Sequence, residues 1–177
     1  MSDGFKQTLV IGLGNPLMAD DGLGIAALEL LRERWLLPET VRLVDGGTWG
    51  MNLLPLIEQA EQVLLLDAID RGSPPGEVIV LERAELPRWL GIKLSPHQIG
   101  LSEVLALAEL RGNLPPRLVA IGLQPGRVEM FSGLSPELES GLDQLLAAVK
   151  QQLIEWGHTP VELRSPAQPF AGAGPIR

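Results

Sequence analysis

The chain has 177 residues, 45% of them hydrophobic, and this size suits one domain that can bury a sizeable core. The formal net charge of -8 and the lack of a basic run exclude a phosphate-backbone partner, because such binding needs clustered Lys and Arg. The absence of Cys excludes disulfides and thiolate chemistry, and the lack of a signal peptide or a long apolar stretch predicts a cytoplasmic protein with no membrane partner.

The first half of the chain alternates between apolar runs and helical patterns. A continuous apolar run at residues 9–12 predicts a buried strand, and Asp20 or Asp21 can cap the following helix, which runs to about Trp35. Three further elements are predicted: a strand at 41–44 closed by Asp45-Gly46-Gly47-Thr48, a helix at 51–60, and a strand at 63–66 that ends in Asp67.

The second half repeats this alternation. Residues 71–76 are a loop, and the glutamate-bracketed run at 77–82 predicts an edge strand. Ser95-Pro96-His97-Gln98 is typical of a helix start, with Ser at the N-cap and Gln completing a capping box. The remaining predictions are a helix end near 111–112, a strand at 117–123, and a last helix from Ser135 to Gly157.

This order of elements predicts a three-layer α/β/α sandwich around a mostly parallel, twisted sheet of about five strands. The 77–82 strand follows Asp67 too closely for a helical crossover, so we expect one antiparallel edge strand. We expect a single domain over residues 1–163, followed by a disordered tail over 164–177 that is rich in Pro, Gly and Ala.

Polar residues gather where the predicted strands end. Ligands of open α/β sheets bind beyond the carboxyl ends of parallel strands, and this topology alone selects Asp45 and Asp67. A carboxylate at the end of an apolar strand lies close to the core and needs a partner, although strand ends also use Asp to cap loops. A helix-capping role explains Asp21 as well as a functional role does. One carboxylate suffices for capping, however, and two are present at this position.

His97 completes the candidate site. At a helix N-terminus the dipole disfavours imidazolium, so the ring stays in the neutral form that binds metals. We therefore predict that Asp21, Asp67 and His97 hold a metal at one sheet edge, and such a set suits Zn, Ni, Fe or Mn without selecting one of them. His158 follows the last helix, where a cation suits the dipole, and receives no functional role.

Four blocks, in this order and spacing, resemble the hydrogenase maturation endopeptidases, which process the large subunit of nickel–iron hydrogenases. The blocks are Gly12-Leu-Gly-Asn-Pro-Leu-Met-Ala-Asp-Asp-Gly-Leu-Gly24, Asp45-Gly-Gly-Thr-Trp-Gly50, Leu66-Asp-Ala-Ile-Asp70 and Ser95-Pro-His-Gln98. The likeness covers about residues 8 to 157 and implies a phosphorylase/hydrolase-like version of the fold.

The resemblance implies a metal-dependent endopeptidase that removes the C-terminal extension of a hydrogenase large-subunit precursor after nickel insertion. The family's metal ligands fall on Asp21, Asp67 and His97, where the first is often Glu in relatives. Nickel comes with the precursor and serves in its recognition, and a Zn or Cd ion found at the site would be a surrogate. The segment Asp45, Gly46, Gly47 and Thr48 matches one linked to substrate recognition, and Asp45 is a candidate general base. We expect a monomer.

Three other interpretations compete with this one. A dinucleotide site is rejected, because Leu17 stands where the third glycine belongs and two carboxylates would face the pyrophosphate. The opening Val10-Ile-Gly-Leu-Gly-Asn-Pro16 resembles peptidyl-tRNA hydrolases, but this chain lacks an early His and a basic surface. A docking protein that binds the nickel-loaded precursor without cleaving it stays open. Trp49 and Trp89 could form a contact patch near the substrate or pack in the core.

Overall fold

The computed structural model describes residues 7–47, 50–91, 96–130 and 133–163, and for residues 96–99 it describes the backbone alone. Five strands form the main sheet: β1 (Thr8–Leu13), β3 (Val41–Gly47), β4 (Gln62–Ala68), β5 (Val78–Glu82) and β6 (Arg117–Leu123). Five helices surround it: α1 (Leu23–Arg34), α2 (Leu54–Gln59), α3 (Leu86–Gly91), α4 (Pro96–Leu110) and α5 (Pro136–Glu155). A second, two-stranded sheet pairs β2 (Trp35–Leu36) with β7 (Val161–Glu162).

The main sheet has the strand order β3-β1-β4-β6-β5. Its first four strands run parallel, and β5 pairs with β6 in the antiparallel sense at the edge. The predicted fold class is therefore confirmed, including the direction of the edge strand. The connection from β4 to β5 spans only residues 69–77, which is too short for the helical crossover that a parallel strand requires.

Helices cover both faces of the sheet. One core cluster joins α1 and α5 to side chains such as Val10 and Leu64, and the other joins α2, α3 and α4 to alternate side chains such as Leu9 and Leu65. Because successive strand residues point to opposite faces, both β1 and β4 are buried on both sides, as their continuous apolar sequences predict. The core thus forms two layers separated by the sheet.

Two predicted boundaries need correction. The strand predicted at 41–44 continues to Gly47, because Gly12 pairs with Asp45 and Leu13 with Gly47, which leaves Gly46 as an unpaired bulge residue. The helix predicted at 51–60 is a 3-10 turn over Gly50–Leu53 followed by the short α2. Pro55 lies in the first turn of α2, where its missing N–H costs no intrahelical hydrogen bond.

The sequence patterns did not predict α3, β2 or β7. The six residues of α3 are too few to show a helical period, and β2 and β7 have two residues each. Trp89 in α3 is buried at 1% exposure within the core cluster of α2 and α4, so the hypothesis that it forms a contact patch is wrong. Trp49, Thr48 and the predicted tail at 164–177 lie outside the described residues, and the domain boundary at residue 163 stays a prediction.

Within the described ranges, no helix combines the length and the hydrophobicity that a membrane span needs.

Candidate metal and catalytic site

The topology creates a crevice between the carboxyl ends of β1 and β4. From β1 the chain crosses through α1 to β3 on one side, whereas from β4 it proceeds to β5 and β6 on the other side. Neighbouring parallel strands whose connections leave in opposite directions form a switch point, which is where open α/β sheets bind ligands. Asp21 follows β1 and Asp67 lies near the end of β4, so both belong to this crevice.

Asp67 is fully buried at 0% exposure. Its position in β4 alternates with Leu66 and Ala68, which belong to the α1 and α5 core, so its side chain lies on the face covered by α2, α3 and α4. One carboxylate oxygen, Oδ1, accepts the N–H of Ala68 at 2.8 Å. The strand thus delivers a buried carboxylate to the crevice, as its sequence position predicts.

Asp21 reaches the crevice from a 3-10 turn over Ala19–Gly22 that contacts β4. It is 6% exposed, and its Oδ2 accepts the N–H of Asn15 at 3.0 Å. Gly14 makes this approach possible, because a Cβ there would lie 1.7 Å from the carbonyl oxygen of Asp21, and its φ of +109° also disfavours other residues. The glycine pair after β1 therefore fixes Asp21 against the strand end.

His97 is the second residue of α4, so the predicted helix start is confirmed at the level of the backbone. The first turns of α4 lie beside the end of β3, since a Cβ on Gly100 would come within 3.0 Å of Gly50 Cα. The imidazole itself lies outside the described side chains. Among those that are described, no group of three His, Asp or Glu side chains could hold a metal ion. The set of Asp21, Asp67 and His97 therefore stays a prediction.

Asp45, Gly46 and Gly47 form the end of the edge strand β3, and Thr48 lies outside the described residues. Asp45 is exposed, in contrast to Asp21 and Asp67, and the bulge at Gly46 follows it directly. Bulges bend a strand and re-aim its side chains, and they are frequent beside active sites. The roles of Asp45, Gly46, Gly47 and Thr48 in substrate recognition, and of Asp45 as a general base, stay predictions.

Asp20 has a different role from the helix cap that the sequence suggests. Neither Asp20 nor Asp21 caps α1, whose N-cap residue, Gly22, has no side chain to cap with. Asp20 is 0% exposed and accepts four hydrogen bonds from a distant segment: Gly126 N–H at 2.9 Å, Arg127 N–H at 2.8 Å, Ser135 N–H at 2.7 Å and Ser135 Oγ–H at 2.9 Å. This buried carboxylate therefore anchors the loop between β6 and α5.

Ala19 shows that the turn is strained. It has a φ of +49° although it is not glycine, and it is 1% exposed. The left-handed region costs an L-residue roughly 1–2 kcal/mol, so the surrounding contacts must impose this conformation. The four hydrogen bonds to the carboxylate of Asp20, the next residue, are among these contacts. The strain therefore lies two residues before the candidate ligand Asp21.

Gln124 fastens a second loop to the same edge of the sheet. Its side-chain oxygen accepts the N–H groups of Arg71 at 2.8 Å and Ser73 at 3.1 Å, and its amide donates to Asp70 Oδ1 at 2.9 Å. Gln124 is 5% exposed, so these bonds replace water that its buried amide has lost. Together with Asp20, it makes the segment after β6 a fixed wall of the crevice.

His158 lies at the opposite, amino-terminal edge of the sheet. Its Nε2 is 2.8 Å from Thr8 Oγ1 and 3.0 Å from Gln62 Oε1, and its Nδ1 is 3.3 Å from Thr40 Oγ1. Desolvation by burial lowers the pKa of His158, so its surroundings disfavour the cation that would suit the dipole at the end of α5. Its contacts attach the end of α5 to the strands, consistent with the absence of an assigned functional role.

Comparison with known proteins identifies relatives along most of the chain. The sequence model of one family, described as hydrogenase maturation protease, matches residues 25–152. The hydrogenase expression/formation protein HupD of Rhodobacter capsulatus is 40% identical over 154 residues, which are 86% of this chain and 73% of HupD.

Two solved structures share the fold. The hydrogenase maturating endopeptidase HybD from E. coli superposes with a TM-score of 0.85 at 34% identity, covering 88% of this chain and 97% of that one. The [NiFe] hydrogenase maturation protease HybD from Thermococcus kodakarensis gives a TM-score of 0.67 at 26% identity, covering 82% and 98% of the two chains.

Proposed function

We propose that this chain, which belongs to the hydrogenase maturation protease family, removes the C-terminal extension of a nickel–iron hydrogenase large-subunit precursor after nickel insertion. The family resemblance inferred from the four sequence blocks is confirmed, and with it a peptidase activity. The similarity to a protease of [NiFe] hydrogenase maturation supports this substrate class. The family match also favours the protease over the peptidyl-tRNA hydrolase that the first strand resembles.

The observation that carries the proposal is the pair of buried carboxylates at the switch point. Asp21 and Asp67 come from neighbouring strand ends, and α4, which carries His97 as its second residue, packs against the 3-10 turn over Gly50–Leu53 that follows β3. A carboxylate this deep in the protein pays a desolvation cost as an anion, and a divalent cation bound by both side chains would offset that cost. The residues present thus fit a metal that approaches from the open side of the crevice.

Nickel enters this proposal as part of the substrate. The chain has no Cys, so its oxygen and nitrogen donors bind nickel less strongly than thiolates would and leave coordination positions for the precursor's own ligands. Asp21, Asp67 and His97 would hold the loaded precursor in register with the scissile bond, while Asp45 and the following glycines contact the peptide. A metal at this position can polarise a carbonyl or activate water.

The test is a single-turnover assay read by mass spectrometry. Nickel-loaded precursor incubated with wild-type protein should be shortened at its C-terminus, whereas nickel-free precursor should remain intact. Asp67→Asn, Asp21→Asn and His97→Gln should each slow cleavage by about 100-fold or more, with unchanged circular dichroism. Asp143→Asn is the matched control, because Asp143 is an exposed carboxylate on α5.

Three results would contradict the proposal in distinguishable ways. Wild-type protein that binds the loaded precursor but never shortens it would indicate a docking protein. Equal cleavage of loaded and nickel-free precursor would refute nickel recognition. Full activity of Asp67→Asn would remove that carboxylate from the ligand set. Titration with Cd as a surrogate gives a readout independent of activity, since Cd should raise the melting temperature of the wild type but not of Asp67→Asn.

A further inference from the structure

Three large apolar side chains are exposed beside the crevice. Leu17 is 67% exposed, Val128 is 55% exposed and Met130 is 88% exposed. Single exposed apolar residues are ordinary, but a cluster at a functional edge indicates an interaction site. We call these three residues the apolar rim.

Asp20 joins the two segments that carry the apolar rim. Its backbone N–H donates to the carbonyl oxygen of Arg127 at 3.1 Å, and its carboxylate accepts the N–H of Arg127 at 2.8 Å. Val128 follows Arg127 directly, and Leu17 precedes Asp20 by three residues in a turn closed by the bond from Met18 N–H to Asn15 O at 3.0 Å. Two segments more than 100 residues apart are thus joined at this point.

Hydrogen bonds to Asp20 fix the chain on both sides of Val128 and Met130, at Gly126 and Arg127 before them and at Ser135 after them. Three of the four bonds to Asp20 come from backbone N–H groups, so the backbone is positioned while these two side chains stay in solvent. A preformed loop loses little conformational entropy on binding, which is the property expected of a docking surface.

A shallow groove adjoins the apolar rim. It has a volume of about 150 Å³, and its lining is mainly apolar, with Pro16, Ala19, Ile25, Ala26 and Leu134 beside the charged Glu29. Pro16 and Ala19 belong to the same turn as Leu17. The apolar rim therefore opens into a depression that accommodates a side chain along the start of α1.

We propose that the apolar rim and this groove bind an apolar stretch of the precursor polypeptide next to the bond that is cleaved, an inference that rests on the proposed function. Ala19, which lines the groove, is two residues from Asp21, so whatever covers this surface lies beside the crevice. A nucleic acid is a poor occupant because Arg127 is paired with Glu129 at 3.4 Å and the chain is acidic overall. A second copy of this chain would obstruct the crevice that the substrate must enter.

The test separates substrate binding from chemistry. Leu17→Ser combined with Met130→Ser should raise the KM for nickel-loaded precursor about tenfold and leave kcat within about twofold, because the lost contacts act on binding alone. Val128→Ser should raise KM in the same direction. Leu110→Ser is the matched control, since Leu110 is 84% exposed at the end of α4, near the opposite edge of the sheet. Its kinetics should equal those of the wild type.

The outcomes distinguish this inference from the proposed function. If the wild type does not cleave the precursor, the proposed function fails and the docking surface fails with it. If the wild type cleaves and the double variant keeps its KM, the apolar rim does not bind substrate although the protease activity stands. A double variant with unchanged KM and altered sedimentation of the free protein would assign the surface to self-association and overturn the inference.

Discussion

Replacing Asp20 by Asn tests whether a buried carboxylate organises the candidate site. Every hydrogen bond described for the Asp20 carboxylate comes from a donor: three backbone N–H groups and the hydroxyl of Ser135. Asn keeps the shape of the side chain but exchanges one acceptor oxygen for an NH2 group. That group would face at least one N–H donor, so one hydrogen bond is lost and a repulsive contact replaces it.

The size of the effect follows from these contacts. A hydrogen bond to a charged acceptor contributes about 1.5–3 kcal/mol, and a buried donor left without a partner costs about 1–3 kcal/mol. We expect Asp20→Asn to lower the free energy of unfolding by about 2–3 kcal/mol. Asp20→Ala leaves all four donors without their acceptor and should cost about 4–5 kcal/mol. Domains of this kind are stable by about 5–15 kcal/mol, so the Asn variant stays folded and is the better probe.

The assay is urea unfolding at neutral pH, followed by circular dichroism. Asp143→Asn is the control, because Asp143 and its partner Arg34 are both exposed and such pairs contribute at most about 1 kcal/mol. From the most to the least stable, the expected order is wild type, Asp143→Asn, Asp20→Asn and Asp20→Ala. An Asp20→Asn variant that is as stable as the control would refute the argument that this carboxylate anchors the loop before α5.

Gly14→Ala should prevent the native turn from forming, because its Cβ would lie 1.7 Å from the carbonyl oxygen of Asp21 at a φ of +109°. A cooperative unfolding transition like that of the wild type would contradict this. Burial lowers the pKa of His158 in the native state below its ordinary 6.5, so in acid the unfolded chain binds more protons than the native one. The contribution of His158 to stability is therefore complete above pH 6.5 and is lost as pH falls through the lower native pKa. His158→Gln should therefore flatten the fall in unfolding free energy between about pH 7 and pH 5, and an unchanged slope would show that His158 does not cause it.

The main sheet was predictable because its strands are continuous apolar runs. The strand predicted at 117–123 has the bounds observed for β6, and the short connection before β5 correctly gave its direction. A strand buried on both faces leaves this signal in the sequence, because none of its side chains faces solvent and apolar residues need not alternate with polar ones. The position of Asp67 followed from the same pattern, because a strand that ends in a carboxylate places it at the sheet edge.

The features that the sequence did not predict depend on partners far along the chain. No sequence neighbour of Asp20 indicates that its carboxylate accepts hydrogen bonds from residues 126–135. An interpretation from sequence neighbours alone therefore makes Asp20 a cap of the helix that follows it. His158 received no role from its local position after the last helix, although its side chain contacts Thr8 and Gln62 across the molecule. Local patterns describe neighbours within a turn or a strand, whereas these contacts exist only in the assembled fold.

The contrast between Asp20 and Asp21 follows from the turn that carries them. In a 3-10 turn successive side chains point about 120° apart, so two adjacent carboxylates cannot serve the same surface. One is directed to the loop before α5, where backbone donors offset its charge, and the other to Asn15 and the end of β1. A helix start would instead place both within the first turn as alternative caps, which is the role that the sequence suggested. The turn that begins at the strained Ala19 therefore directs the anchoring carboxylate of Asp20 and the candidate ligand Asp21 to different surfaces. Because the hydrogen bonds of Asp20 hold the turn rigid, they also position Asp21.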